Sequence, residues 1–127
     1  MTRPFRFSDI VGFLQNNPLV SNIKKIHIDE VSKRGVYKIK CQLIPSKYNL
    51  EIKYIKTSRE FIYSYQLFST DTMMRWDNEP HYPDIKSYPH HFHDTDGQVS
   101  DSDLTGDAEI DFKKVISKIK NILFENF

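Results

Sequence analysis

The chain has 127 residues, 39% hydrophobic and 28% charged, with a formal net charge of +1. That is enough for one globular domain spanning 1–127, and too little for two. No apolar run approaches the ~18 residues of a membrane span, the N-terminal "MTRPFRFSDIVGFLQNN" is interrupted by Asp9 as no signal peptide is, and the single Cys41 excludes an internal disulfide. A cytoplasmic protein is expected. The small net charge conceals a division: residues 1–68 carry twelve Lys/Arg against five Asp/Glu, whereas residues 69–127 carry six against twelve. A positive surface able to meet phosphates fits this division, and so does a plain solubilising surface.

In chain order, Ser8 precedes "DIVGFLQ", where Ile10, Val11 and Leu14 have helical spacing, and "NNP" at 16–18 ends the helix. "IKKIHIDEVS" at 23–32 leads through "KRG" into "VYKIKCQLI" at 36–44. There Tyr37, Ile39, Cys41 and Leu43 alternate with Lys38, Lys40 and Gln42, the pattern of a strand with one buried face. Pro45 and "KYN" turn the chain into "LEIKYIKTS" at 50–58. "EFIYSYQLFS" at 60–69 is apolar or aromatic on both sides, and "TDT" turns it into a short fifth strand, "MMRWD". Short links between successive strands predict an antiparallel meander. Residues 78–106 have no period and read as a long loop, His/Pro-rich and then acidic. "DTDG" within it is a solvated acidic turn, since its glycine comes too early for a calcium loop. The chain ends in an amphipathic helix, capped by Thr105 or Asp107, with Phe112, Val115, Ile116, Ile119, Ile122 and Leu123 on one stripe. The expected fold is α+β: four to five antiparallel strands with an N-terminal and a C-terminal helix packed on them.

The stretch "RWDNEPHYPDIKSYPHHFH", residues 75–93, holds four of the five histidines and the only tryptophan. Three readings stand side by side. In the first, His91 and His93, which point the same way in an extended chain, bind a metal with His81 and an aspartate. In the second they are an acid–base pair, because imidazoles titrate near neutrality. RNA brings its own nucleophile, the 2′-hydroxyl, so this pair needs only a cation for the phosphate. Arg75 is that cation, Trp76, Tyr82 and Tyr88 stack bases, and Lys38, Lys40 and Lys53 guide the backbone. Cys41 falls in the apolar set of its strand and is a poor nucleophile. In the third reading the segment only closes the sheet, with prolines 80, 83 and 89 holding its shape.

The order "YSYQ", "RWDNEPH", "YPHHFH", "VSDSDL" and terminal helix resembles the TumE family, toxin components of prokaryotic toxin–antitoxin systems. The resemblance rests on Tyr63 and Tyr65, on Trp76-Asp77-Asn78 with Pro80-His81, and on Pro89-His90-His91 with His93. It covers residues 60–123. Two features depart from the family pattern: the acidic connection after His93 is long, and Phe92 stands where a basic residue is common. The resemblance implies a cognate antitoxin as partner. A metal-independent ribonuclease without cofactor is the expected activity, with His91 and His93 as acid and base, His81 or His90 as helper, Arg75 as phosphate clamp and Asp77 orienting an imidazole. Tyr63, Tyr65 and Asn78 join the aromatic and lysine side chains as substrate contacts, Asn78 being equally a turn cap. The rival expectations are a binding module that blocks nucleic acid or protein without chemistry, and a metal-binding protein built on the same histidines. The sheet edges also leave room for a homodimer.

Overall fold

The computed structural model describes residues 5–44, 47–70 and 72–124, so Pro45 and Asp71 of the expected turns lie outside the described residues. Helix α1, Phe7–Gln15, opens the fold. Seven strands follow: β1 Val20–Val31, β2 Arg34–Leu43, β3 Asn49–Lys56, β4 Phe61–Phe68, β5 Thr72–Asp77, β6 His91–His93 and β7 Val99–Asp101. Helix α2, Ala108–Phe124, closes it. Every strand pairs antiparallel with its neighbour in sequence, giving one sheet in the order β1 to β7.

The α+β class and the two helices agree with the sequence, but the sheet has seven strands rather than four to five. The additional pair, β6 and β7, comes from the segment read as loop, 78–106. Three residues are too few to display a period, and only hydrogen bonding to β5 and β7 makes "HFH" a strand. The first turn also differs. Val31 pairs with Arg34, so Ser32 and Lys33 form the turn and "KRG" is shifted by one; Ser32 takes φ 57°, as tight hairpin turns demand. Ser8 lies inside α1, whose cap position is Arg6.

Alternation sorts the sheet into two faces. Tyr37, Ile39, Cys41, Leu43, Leu50, Ile52, Tyr54, Tyr63, Tyr65, Leu67, Met74 and Trp76 are all buried on one of them. Over that face lie both helices, α1 with Phe7, Ile10 and Leu14 and α2 with Phe112, Val115, Ile116, Ile119 and Leu123, in a single apolar cluster. Each large apolar side chain buried in this way contributes about 1.5–3 kcal/mol. Phe13 stacks on Phe112 at 6.0 Å, joining the helices. Asp107 caps α2 by accepting from the backbone N–H of Glu109 and Ile110. The fully buried Asp111 accepts from Thr105 and Gly106 and fixes the approach to the helix. Burial pushes the Cys41 thiol up to about 12, so it is inert as a nucleophile. Among the described residues no helix is long and apolar enough to cross a membrane.

Among the described residues no helix covers the other face. Register lines run straight across it. One joins His27, Lys38, Lys53, Ser64, Asp77, His91 and Asp101; the next joins Lys25, Lys40, Glu51, Gln66, Arg75, His93 and Val99.

Candidate functional site

Strand pairing assembles the site. Asp77 stands opposite His91, and Arg75 opposite His93, and directly opposed residues of an antiparallel pair project to the same face. Because side chains alternate, "HHFH" sends His91 and His93 to the open face and Phe92 to the covered one. Phe92 packs on Trp76 with ring centroids 4.9 Å apart, and the Lys118 ammonium lies 5.4 Å above its centre. A cation at position 92 would therefore point away from the histidines.

Asp77 is the hub. Its carboxylate is buried and accepts from Arg75 Nε at 2.9 Å, His91 Nε2 at 2.9 Å and the Glu79 backbone N–H at 3.0 Å; His93 Nε2 stands 3.6 Å away. The other nitrogen of His91, Nδ1, lies 3.1 Å from the Pro89 carbonyl. Both ring nitrogens thus face acceptors, and both bonds are made together only when the ring carries two protons. His91 is sealed, its side chain 3% exposed, whereas that of His93 is 28% exposed. Burial, helped by the neighbouring His91 and Arg75 charges, lowers the His93 pKa below its ordinary 6.5 against the pull of Asp77. At neutral pH His93 is therefore a free base. Among the groups described here Arg75 engages only through Nε, leaving its terminal nitrogens to a ligand. Tyr82 edges onto both imidazoles, with centroid distances of 4.8 Å to His91 and 5.9 Å to His93.

The remaining expected site residues are dispersed. His90 lies on the covered side, its Nδ1 2.7 Å from the Tyr63 hydroxyl and its ring stacked on Tyr63. Burial lowers its pKa too. His81 is exposed on the turn after β5, with Glu79 3.6 Å away. Tyr63, Tyr65 and Trp76 are buried under the helices, with no ring face open to a base; Tyr65 instead shares a 2.8 Å hydroxyl contact with Tyr54. Asn78 prolongs the ladder at the start of β4, accepting from the Tyr63 N–H and donating to the Phe61 carbonyl. Tyr88 is exposed beside Pro89. Lys38 and Lys40 stand on the open face, and Lys40 lies over the Phe68 ring at 5.3 Å. The acidic "DTDG" forms the β6–β7 hairpin turn, Asp94 accepting from Asp96 and Gln98.

Strand parity brings in residues that reading motifs alone passed over. Lys25 and His27 share the register lines of Lys40 and Lys38, and Phe68 and Gln66 fill the ground between lysines and histidines. At about 4.8 Å per strand, Lys53 lies roughly 10 Å from Asp77 and Lys38 roughly 14 Å. The three groups Asp77, His91 and His93 also offer ligand atoms within 4.8 Å of one another. As a metal site they fit poorly. The carboxylate is already surrounded by a guanidinium, an imidazole N–H and a backbone N–H, all of which a cation would have to displace or oppose.

The family model described as Toxin TumE matches residues 12–123 of the chain. No curated protein and no solved structure matches it.

Proposed function

This chain belongs to the TumE toxin family, and on that footing we propose that it is the toxin of a toxin–antitoxin pair and cleaves RNA without a metal ion. The observation that carries the chemistry is the Arg75–Asp77–His91–His93 cluster on the sheet face away from the helices, continuous with lysines and open to solvent at Arg75 and His93. His93, neutral and accessible, takes the proton of a ribose 2′-hydroxyl, whose oxygen attacks the adjacent phosphorus. Arg75 holds the non-bridging phosphate oxygens, where charge builds up in the transition state. His91 and Asp77 do not touch substrate; the 2.9 Å bond between them fixes the Arg75 and His93 side chains. The departing 5′ oxygen takes its proton from His81, which is exposed and precedes in sequence Tyr82, whose ring edges onto His91 and His93. Tyr82 and Phe68 offer stacking surface for bases, the role expected of the aromatic residues now found buried, and Lys38, Lys40 and Lys53 draw in the backbone. A small antitoxin protein encoded beside it is the partner in this reading.

The test is to incubate purified protein with single-stranded RNA in excess chelator. Fragments ending in a cyclic 2′,3′-phosphate are expected, and none from the His93→Ala variant. Growth arrest with intact RNA would sink the nuclease and leave a blocking toxin. Cleavage lost in chelator and restored by zinc would turn the three ligand atoms of Asp77, His91 and His93 into a metal centre.

A further inference from the structure

The sheet has two free edges, and they are unlike. β7 has three residues, while β1 has twelve, with Ile26 44% exposed, Ile28 53% and Val31 69%. A long edge strand with exposed apolar side chains and unpaired backbone groups is a template for another strand. Register irregularities disturb β1 at Val20/Asn22 and Ile23/Lys25, but from Lys25 to Val31 its pairing with β2 is unbroken.

The sequence of that unbroken run names the partner. "KIHID" reads cation, apolar, histidine, apolar, anion, and it is complementary to itself when reversed. Two antiparallel copies of one strand are related by an axis normal to the sheet, which sets a residue opposite itself. With the axis at His27, Lys25 faces Asp29 and Ile26 faces Ile28, each twice. An axis at Ile28 sets Ile26 against Glu30. An axis at Asp29 opposes two carboxylates, and one at Ile26 opposes Lys25 with His27. Like charges directly opposite are destabilising, and unlike charges or apolar pairs are favourable. Among the described residues Lys25 and Asp29 have no ion-pair partner within their own chain, and both are exposed.

We propose that the chain forms a two-fold dimer by antiparallel pairing of β1 with β1 of a second copy, in the register that sets His27 opposite His27. Such a dimer is independent of the chemistry proposed above. The axis keeps both helical layers on one side, so the two uncovered faces become one sheet of fourteen strands. Lys25, Lys38, Lys40 and Lys53 of both copies meet at its centre. The two Asp77 hubs lie roughly 40 Å apart along the sheet, at about 4.8 Å per strand. The dimer is thus a single basic platform with a histidine cluster on either flank.

Sedimentation equilibrium on the full chain tests this, with circular dichroism confirming that each variant folds. Wild-type protein is expected to dimerise with a Kd of about 10 μM, as suits an interface at the small end of the specific range. Lys25→Glu and Asp29→Lys each create two like-charge pairs per dimer and should weaken association about tenfold. The combined charge swap should restore it. For the register, His27→Cys should cross-link under mild oxidation, since opposite Cα atoms lie within disulfide reach; the buried Cys41 stays out of the reaction. A chain monomeric at 100 μM (about ten times the expected Kd), or a dimer indifferent to both single charge reversals, overturns the proposal. So does a monomer that loses its co-expressed antitoxin when Lys25 becomes Glu, which gives the edge to that partner.

Discussion

Replacing Asp77 by Asn isolates what the hub does. The substitution keeps the shape but turns one oxygen into a donor facing other donors: Arg75 Nε, His91 Nε2–H and the Glu79 N–H all lie within 3.0 Å of the native carboxylate. Removing one member of a buried charged pair costs about 3–5 kcal/mol, and the low end applies because the Arg75 partner is 36% exposed. A loss of about 3 kcal/mol follows, a large part of the 5–15 kcal/mol typical of a domain. It should lower the melting temperature by about 10 °C. Urea titration reads it directly, because the only tryptophan, Trp76, adjoins Asp77 in the chain and its fluorescence reports this part of the sheet. Arg75→Gln is the control: that side chain is 36% exposed, so its loss should cost under about 1 kcal/mol while still abolishing activity. If Asp77→Asn also costs less than about 1 kcal/mol, the carboxylate is not the keystone described here.

Further outcomes follow from the same geometry. His93→Ala should abolish growth inhibition and His90→Ala should leave it near wild type, since the two rings lie on opposite faces; equal effects in a growth assay would contradict that division. His90 and His93 both have pKa values lowered from 6.5, so the unfolded chain protonates first as pH falls. Stability is then full above about pH 7 and declines through 6.5 towards the lowered values. Urea midpoints at pH 7.5 and 5.5 should diverge more for wild type than for the variant lacking both rings, and parallel values would refute it. Lys38→Ala and Lys40→Ala should each weaken RNA binding at every sequence and flatten the dependence of log K on log salt by about 0.7–1; an unchanged slope removes them from the binding face.

The sequence disclosed most where periodicity was long. Strands β2 to β5 and helix α2 follow from alternation and from the apolar stripe, because burial of one face imposes its period on the residues. It also disclosed that His91 and His93 share a side, a consequence of parity within "HHFH". What it withheld depends on pairing between distant segments. Whether that side faces water or helices is decided by Asp77 standing opposite His91, fourteen positions on. For the same reason Tyr63, Tyr65 and Trp76, aromatic and close in sequence to the histidines, are buried while Tyr82 is available. Asn78 resembled a site residue because the backbone groups it satisfies belong to β4.

Since every strand neighbours its predecessor, five of the six pairings bridge only a few residues, and one, β5 with β6, must span positions 78–90. Closing that span costs about 1 kcal/mol more than a four-residue link, an expense moderated by prolines 80, 83 and 89, which narrow the freedom of the open chain. Only three residue pairs then hold β6 to β5, and three hold β7 to β6. The outer hairpin therefore has the shortest ladders of the sheet, and its amide protons should exchange before those of β2 to β4. Lifting it would separate His91 and His93 from Asp77 while α1, α2 and the first five strands stay folded, disarming the molecule without unfolding it.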